Sequence, residues 1–306
     1  MTEQEKTELK AKINGRRVVA SISGGKDSAA MSLYLTELGI EHDRVFMDTG
    51  WEHDATYAYL RGPLAEKLGT IHEVRSRKYP GGMVELVTKK GMFASRMQRF
   101  CTQELKVFPM RDYIRSAQDA GDEVLNTVGI RRAESQARSK MPEWEWSETM
   151  DCEVWRPLIT WTEQDVIDIH KRHGLAPNPL YLKGAERVGC WPCVFARKSE
   201  IRFLAENEPS RVEFIRELEE EVARRPSARY AEKGETFESL GYVRPAFFQQ
   251  KTGRGGRPWP IDEAVKWART GHGGKQYELF AAAESDAGCM RWGLCETNPD
   301  KPEGDK

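Results

Sequence analysis

The sequence has little that would place it in a membrane. None of its 306 residues belongs to an apolar run near the roughly 20 residues that a transmembrane helix needs. The N-terminal stretch MTEQEKTELKAK is polar and helical in character, and it contains no apolar signal core. We therefore predict a cytoplasmic protein with no membrane partner.

An excess of charge of one sign is also missing. The sequence has 47 Lys and Arg against 48 Asp and Glu, a net charge of −1. No global basic field is therefore available to attract nucleic acid, although a local basic patch is compatible with this balance. With 39% hydrophobic and 31% charged residues, the composition is typical of a globular chain with one large core or two smaller ones.

Cysteine is sparse as well, with six residues in the chain. In a cytoplasmic protein these are more often thiols, metal ligands or catalytic groups than disulfides. Cys190 and Cys193 form a C-x-x-C, and Cys289 and Cys295 follow much later. Two such pairs can close one four-thiolate site for zinc or a [4Fe–4S] cluster; buried or redox thiols are the competing interpretation. Cys152, in the strand-like stretch CEVWRPL, is predicted to be a core thiol.

Short apolar segments alternate with amphipathic helices in the first half of the chain. This alternation predicts an α/β fold, a parallel sheet with helices on both faces, from residue 15 to residue 185. A helical extension over 1–14 precedes it. The predicted strands are 17–22, 43–48, 70–74 and 123–129, and the predicted helices are 28–38, 54–68 (interrupted near Gly62 and Pro63) and 108–120.

The pattern changes after residue 185, which predicts a helical, cysteine-rich region over 186–297. Apolar residues at helical spacing predict one long charged helix over 199–224. Glycines and prolines predict a loop at KTGRGGRPWP, residues 251–260, before a short helix over 261–269. The tail 298–306 is predicted to be disordered.

A predicted strand-to-helix junction carries the stretch SISGGKDSAA, residues 21–30. It is not a Walker A loop, because its lysine is followed by aspartate and no glycine lies five positions before the second glycine. The glycine pair still allows a tight turn with outward-pointing amides at a helix start, whose dipole adds about half a positive charge. The predicted phosphate cradle consists of Ser23, Gly24, Gly25, Lys26 and Ser28. A carboxylate at Asp27 indicates Mg²⁺ or a backbone amide as its partner.

The S-G-G-K-D-S segment in this position resembles the signature of the PP-loop ATP pyrophosphatases. FMDTG, residues 46–50, closes the second predicted strand and resembles the phosphoadenosine-phosphosulfate-reductase-like branch of that superfamily. Three further stretches resemble the branch: RFC at 99–101 followed by Lys106, GIRRAES at 129–135 followed by Arg138, and PLITWTEQDVIDIHKRHGLAPNPLY at 157–181. The resemblance spans roughly residues 17 to 195 and implies an adenine nucleotide alpha hydrolase-like, Rossmann-like fold.

The resemblance also implies a nucleotide site beyond the carboxyl ends of the strands. Arginines there would bind phosphate or sulfate in bidentate fashion; a solvated charge run is the competing interpretation. The implied ligands of ATP are Ser21, Ser23, Gly24, Gly25, Lys26, Asp27, Ser28, Asp48, Thr49, Gly50, Gly129, Arg131, Arg132, Glu134 and Arg138. Asp27 and Asp48 would handle Mg²⁺ or the nucleotide.

GCWPC, residues 189–193, resembles the G-C-x-P-C of the iron–sulfur members of the branch, which favours [4Fe–4S] over Zn²⁺. Assimilatory adenylylsulfate reductases have a vicinal cysteine pair where this chain has only Cys101. The resemblance implies that Cys190, Cys193, Cys289 and Cys295 hold the metal. Cys101 would then be free to carry sulfur as a persulfide. Alternatively, Cys101 is a ligand and one of the last two cysteines is not.

Sulfonucleotide reductases carry their nucleophilic cysteine in an E-C-G-L-H stretch, which does not occur in these residues; the nearest segment is WGLCET at 292–297. The sequence also resembles iron–sulfur proteins of DNA phosphorothioation. We therefore expect adenylation by ATP with pyrophosphate release, followed by sulfur transfer. Lys26, Asp27, Asp48 and Cys101 are the expected catalytic residues.

The expected partners are ATP, a nucleic acid and a cysteine desulfurase or other sulfur donor, with the chain acting as a homodimer or as a subunit of a larger complex. Lys251, Arg254, Arg257 and Trp259 are predicted to contact nucleic acid; a plain surface loop is the competing interpretation. Two alternative functions remain: a sulfonucleotide reductase that uses thioredoxin, and a non-catalytic nucleotide-binding subunit of a modification or defence complex.

Overall fold

A six-stranded sheet forms the centre of the fold. The computed structural model describes residues 2–95, 97–252, 255–270 and 292. The strands are β1 (Arg17–Ile22), β2 (Asp43–Met47), β3 (Ile71–Val74), β4 (Val124–Thr127), β5 (Trp144–Ser147) and β6 (Cys152–Trp155). They lie in the order β3-β2-β1-β4-β6-β5, and all pairs are parallel except β5 with β6. The predicted α/β, Rossmann-like class is confirmed, and the antiparallel edge strand β5 was missed.

Helices cover both faces of this sheet. They are α1 (Glu3–Ile13), α2 (Lys26–Glu37), α3 (Asp54–Tyr59), α4 (Ala65–Leu68), α5 (Gly82–Lys90), α6 (Phe100–Thr102), α7 (Phe108–Asp119), α8 (Glu163–Arg172) and α9 (Pro179–Leu182), with π-helical turns at Leu60–Leu64 and Gln103–Val107. Val18 and Ala20 of β1 pack with α2 and α8, whereas Val19 packs with α7 on the other face. The predicted interruption near Gly62 is confirmed by its non-helical φ and ψ of −109° and −106°.

The long helix predicted over 199–224 is wrong. The structure has two helices, α10 (Lys198–Asn207) and α11 (Pro209–Ala231). Proline has no N–H to continue a helix and restricts the residue before it, and Glu208 accordingly has φ −137° and ψ 61°. Apolar spacing continues across this break, so periodicity alone did not reveal it. No helix in the described ranges is both long and apolar enough to cross a membrane.

The loop predicted at 251–260 is also wrong. The structure has an antiparallel hairpin of β7 (Phe248–Thr252) and β8 (Gly255–Trp259), followed by α12 (Ile261–Ala268) near its predicted place. One of the glycines that indicated a loop, Gly256, lies within β8, and a Cβ there would lie 3.2 Å from Gln249 Oε1 of β7. The predicted tail at 298–306 lies outside the described residues.

A large apolar cluster packs residues beyond 185 onto the sheet region. Trp51, in the loop after β2, stacks on Phe247 with ring centroids 5.6 Å apart. The same cluster includes Leu86 of α5, Ile215 of α11 and Ile261 of α12. The helices of the second region are therefore fixed against the loop that follows β2, while the domain boundary at 185 stays a prediction. Cys152 is buried in β6, as predicted.

Glu219 of α11 joins the hairpin and α12 to that helix. Its carboxylate accepts hydrogen bonds from the N–H groups of Phe247 at 2.8 Å and Ile261 at 3.1 Å. Burial raises the pKa of Glu219 from 4.5 to about 7. The folded state therefore holds this proton more tightly than the unfolded chain does, and the resulting contribution to stability is fully present below about pH 4.5 and lost as pH rises through about 7.

The Glu219→Gln variant is expected to lack this pH dependence. The difference in unfolding free energy between wild type and variant should change by about 2 kcal/mol between acidic and neutral pH, less than the full shift because the group is partly solvated. Urea denaturation of both proteins across this range measures the difference. Parallel curves for the two proteins would contradict the expected linkage.

Candidate active site

The SGGKDS loop joins β1 to α2 and is shaped by its own hydroxyls. The Ser23 N–H donates to Ser28 Oγ over 3.1 Å, and the Gly25 N–H donates to Ser23 Oγ over 3.4 Å. Gly24 has φ of +71°, and a Cβ there would lie 2.8 Å from Thr56 Cγ2. Only glycine meets both demands, so the structure contains the predicted tight turn.

The charged side chains of the loop are each paired with a residue distant in sequence. Lys26 Nζ lies 3.3 Å from Glu163 Oε1, and Arg131 Nε donates to Asp27 Oδ1 over 2.5 Å. Arg131 reaches this position because Gly129 allows close approach: a Cβ on Gly129 would lie 2.7 Å from the Asp27 carbonyl oxygen. The predicted residues of the loop and of the segment after β4 are thus brought together.

Asp48, directly after β2, is 2% exposed. Its carboxylate accepts hydrogen bonds from the Tyr57 hydroxyl at 2.7 Å, the Gly50 N–H at 2.8 Å and Arg75 Nε at 2.7 Å. Burial favours a higher pKa, but these hydrogen bonds outweigh it and lower the pKa of Asp48 below its ordinary value. Sequence reasoning missed Arg75, although its place directly after β3, at the same edge of the sheet, is a signal for it.

Glu52, which sequence reasoning also missed, joins the D-T-G segment to the C-x-x-C segment. Its Oε1 accepts from the Thr49 hydroxyl over 2.7 Å and lies 4.0 Å from Cys190 Sγ. A backbone bridge pairs Glu52 with Cys190, and the Trp191 N–H donates to the Trp51 carbonyl over 2.7 Å. The cysteine loop is therefore fixed beside the loop that follows β2.

The junction of α10 and α11 supports the same cysteine loop. Glu208 accepts hydrogen bonds from His53 Nε2 at 2.8 Å and from Trp191 Nε1 at 2.9 Å. Arg211 donates to the Trp191 carbonyl over 2.8 Å, and its guanidinium carbon lies 3.9 Å from the Trp51 ring centre. The helix break that the periodicity did not reveal thus positions one wall of the site.

A cavity of about 320 Å³ lies between the SGGKDS loop, called the phosphate loop below, and the cysteines. Ser23 and Thr49 line it, and so do Cys101, Cys190 and Cys193. Four cationic side chains also line it: Arg99, Lys106, Arg138 and Arg187. A concave site with this cationic lining suits an anionic ligand.

The thiols and the ammonium group of Lys106 alter one another's pKa values in the cavity. The nearby Cys190 raises the pKa of Lys106 against the opposing effect of burial, and Glu52 adds to the increase. Burial, and then the neighbouring Cys190 and Cys193, raise the pKa of the Cys101 thiol. Burial likewise raises the pKa of Cys193. Lys106 therefore stays protonated and positively charged at neutral pH. Cys101 is a neutral thiol in this arrangement and not an activated thiolate.

Some side chains of the segment after β4 lie at the cavity, and others point into solvent. Glu134 accepts from the Arg131 N–H over 2.7 Å and also pairs with Arg138, which lines the cavity. Arg132 is exposed, and its Nε lies 3.4 Å from a backbone carbonyl oxygen of the same loop. Ser21 lies within β1 itself, before the turn of the phosphate loop. The structure thus brings Arg131, Glu134 and Arg138 to the site but not Arg132.

The donor chemistry of the cavity fits a thiophilic metal centre, because three cysteines line it. Their arrangement does not: within the described ranges, no group of three or more His, Cys, Asp or Glu side chains is placed to hold a metal ion. Cys289 and Cys295, the second predicted pair, lie outside those ranges. A [4Fe–4S] cluster, or zinc in its place, therefore stays a prediction.

The parallel sheet, the SGGKDS loop at the β1–α2 junction and the D-T-G segment after β2 define a PP-loop protein of the adenine nucleotide alpha hydrolase-like class. The profile of the phosphoadenosine phosphosulfate reductase domain matches residues 17–196. The chain belongs to this family.

Similarity to individual proteins differs in extent. A 37.8 kDa protein of Escherichia phage 186, described as uncharacterized, is 34% identical over 91% of this chain and 96% of its own length. The adenosine 5'-phosphosulfate reductase of Burkholderia cepacia is 30% identical over 43% of this chain and 56% of the reductase. The crystal structure of phosphoadenylyl-sulfate reductase from Candida auris, a phosphate complex, has a TM-score of 0.48 at 20% identity, covering 63% of this chain and 89% of that chain.

Proposed function

We propose that this chain is an ATP pyrophosphatase that adenylates an anionic acceptor and then transfers sulfur to it. The cavity carries the proposal: Ser23 of the phosphate loop lines the same space as Cys101, Cys190 and Cys193. A site that only bound nucleotide would not need thiols beside its phosphate loop. The leading acceptor is a backbone phosphate of nucleic acid, as in DNA phosphorothioation.

In the first step, an oxygen of the acceptor phosphate attacks the α-phosphorus of ATP, and pyrophosphate leaves. The loop amides, the Ser23 hydroxyl and Lys26 stabilise the charge that develops on the leaving pyrophosphate. The Ser28 hydroxyl instead donates to the Gly25 carbonyl oxygen over 3.0 Å and so shapes the loop. In the second step, a sulfur nucleophile attacks the activated acceptor phosphorus, and AMP leaves with the electron pair of the broken P–O bond. Adenylation thus replaces a poor leaving oxygen with a good one.

Cys101 is the proposed carrier of the sulfur, as a persulfide loaded by a cysteine desulfurase or another sulfur donor. Attack by its terminal sulfur joins the acceptor phosphorus to Cys101 through an S–S bond. A thiol reductant then attacks the Cys101 sulfur, releases the thiophosphate and forms a mixed disulfide. The cations around the cavity, Lys106 and Arg138 among them, hold the anionic acceptor near this sulfur.

Magnesium is expected to enter with the ATP phosphates, the usual way in which this ion binds at nucleotide sites. The carboxylates predicted to hold it are engaged: Asp27 pairs with Arg131, and Asp48 pairs with Arg75. In this arrangement they do not fit a protein-held Mg²⁺ ion. The two arginines instead neutralise the carboxylates beside the phosphate loop.

Part of the predicted nucleic-acid surface lies on the hairpin. Arg257 of β8 is exposed, and Trp259 packs edge-on against Trp267 with ring centroids 5.1 Å apart. Arg254 lies outside the described residues. An exposed arginine beside a tryptophan suits a phosphate and a base of nucleic acid. Assembly as a homodimer or within a larger complex remains part of the proposal.

A sulfonucleotide reductase is the second candidate, favoured by the similarity to adenosine 5'-phosphosulfate reductases. The test incubates the protein with ATP, Mg²⁺, DNA, a cysteine desulfurase with its cysteine substrate and a thiol reductant, and separately with adenosine 5'-phosphosulfate and thioredoxin. We expect DNA-dependent pyrophosphate release, and a loss of about 1000-fold in the Lys26→Ala variant because the charge facing the leaving group is gone. Lys67→Ala, a change of an exposed lysine on α4, is the matched control.

The products separate the candidate functions. Sulfite release without pyrophosphate release would establish the reductase and contradict the proposal. ATP binding with neither product would identify a non-catalytic nucleotide-binding subunit.

A further inference from the structure

The backbone N–H of Lys26 meets an acceptor from outside the phosphate loop. It donates to the Tyr181 hydroxyl oxygen over 3.2 Å. The first amides of a helix have no partner within the helix and point out of its N-terminus. The Tyr181 hydroxyl therefore lies in front of α2, where the loop is expected to hold phosphate. The hydroxyl lies directly beside Gly25, since a Cβ there would be in ordinary contact with the hydroxyl oxygen at 3.4 Å.

The Tyr181 hydroxyl is protonated, and its hydrogen is available for a hydrogen bond to a ligand. Tyr181 is 5% exposed, and burial raises its pKa, so the hydroxyl stays protonated at neutral pH. Its oxygen accepts from the Lys26 N–H, and the backbone of Val188 also hydrogen-bonds to it. Among the described residues, no hydrogen bond donated by this hydroxyl is found. A buried donor without an acceptor is unfavourable until a ligand supplies one.

Other side chains already hold the loop backbone in place. His170 Nε2 donates to the Lys26 carbonyl oxygen over 2.9 Å, and Asn178 Nδ2 donates to the Gly24 carbonyl oxygen over 3.2 Å. These two bonds fix the loop from its carbonyl side. The hydroxyl of Tyr181 lies on the amide side, the side that faces a bound anion.

We propose that Tyr181 is a phosphate-binding residue whose hydroxyl accepts the Lys26 N–H and donates its own proton to an oxygen of the pyrophosphate moiety. This inference rests on the proposed nucleotide function of the loop. It adds a ligand that lies about 155 positions away from the loop in sequence, outside the loop motif. Hydrogen bonds to charged oxygens are stronger than neutral ones, so the bond should favour ATP and pyrophosphate over AMP, which lacks that moiety.

The Tyr181→Phe variant tests this inference, because it removes only the hydroxyl. The ring keeps its contact with Trp292, whose centroid lies 6.0 Å away. Isothermal titration with inorganic pyrophosphate, ATP and AMP is expected to show pyrophosphate and ATP binding about 10-fold weaker, with AMP binding within about twofold of wild type. Tyr113→Phe is the control: it loses a hydrogen bond to Asp43 of 3.1 Å at the start of β2, at the opposite end of the strands.

Unchanged or tighter pyrophosphate binding in Tyr181→Phe would overturn the inference. Tighter binding would mean that the hydroxyl only occupies the Lys26 N–H and competes with the ligand. An equal loss for all three ligands would show a merely structural role and would overturn it as well. If wild type binds neither ATP nor pyrophosphate, the proposed function fails together with the inference, whereas a failure confined to the variant leaves the proposed function standing.

Discussion

Replacing Lys106 with methionine is expected to lower turnover about a hundredfold while the chain stays folded. The ammonium group lies with Cys190 and Glu52, both of which raise its pKa, and it lines the cavity. Without it, Glu52 and Cys190 would lose their neighbouring cation, and three of the four cations that line the cavity would remain. Methionine preserves much of the volume of the lysine side chain, so packing around it should persist.

Lys90→Met is the matched control for this change. Lys90 is exposed at the end of α5, and its ammonium lies 5.0 Å from the Phe100 ring centre, close to the segment that carries Cys101. Steady-state kinetics should give wild-type turnover, within about twofold, because an exposed cation is largely screened. Equal losses in both variants would show that the effect follows overall charge rather than the cavity, and an active Lys106→Met would remove Lys106 from the mechanism.

For Lys106, the sequence predicts the residue but not its partners. Its motif was recognised, but its partners come from other segments: Glu52 follows β2, and Cys190 lies far beyond β6. A motif identifies a residue that takes part in a site, whereas the pairing of charges depends on which loops meet. Glu52 illustrates the limit, because nothing in the stretch WEH distinguishes it from a surface carboxylate before the backbone bridge to Cys190 is known.

The sheet region was predictable because local and global signals agree there. Strands β1, β2 and β4 each end at a motif, and the carboxyl ends of parallel strands meet at one edge, so the loop, the D-T-G segment and Arg131 had to be neighbours. Arg132 shows the opposite case: adjacent arginines in one loop point in different directions, and only the backbone path decides which of them reaches Asp27.

The second region was less predictable because its signals are ambiguous. The apolar spacing continues across Pro209 without a gap. Periodicity alone does not distinguish a proline at the first position of a helix from one inside a helix. Glycine is similarly compatible with a loop and with a pair of closely spaced strands. The choice of a hairpin for β7 and β8 depends on packing with distant residues, such as that of Phe247, just before β7, on Trp51.

The cysteine-to-serine variants are expected to fall into two classes. Under the iron–sulfur prediction, Cys190→Ser and Cys193→Ser should lose iron, acid-labile sulfide and visible absorption, and so should the variants of Cys289 and Cys295. Anaerobically purified wild type should contain about four irons and four sulfides per chain. Cys101→Ser should keep both and still release pyrophosphate, but it should no longer transfer sulfur.

Cys152→Ser is the control for this series. Cys152 is 3% exposed in β6 and packs in a separate apolar cluster with Val19 and Ile114. It should keep its metal and its activity, with only a modest loss of stability from burying a hydroxyl among apolar groups. One zinc per wild-type chain without sulfide would make the centre structural and contradict the iron–sulfur prediction.

Cys101→Ser decides between the two assignments of the thiols in the cavity. A thiolate bound to a metal is not free to carry a persulfide, so one residue cannot serve both purposes at once. Burial and the neighbouring Cys190 and Cys193 raise the pKa of Cys101, so its thiol must lose a proton when it takes up sulfur from the donor. Loss of iron in Cys101→Ser would make it a ligand, leave one of the last two cysteines free and remove the proposed sulfur carrier. Retained iron with lost sulfur transfer is the result that the shared cavity of Ser23 and Cys101 leads us to expect.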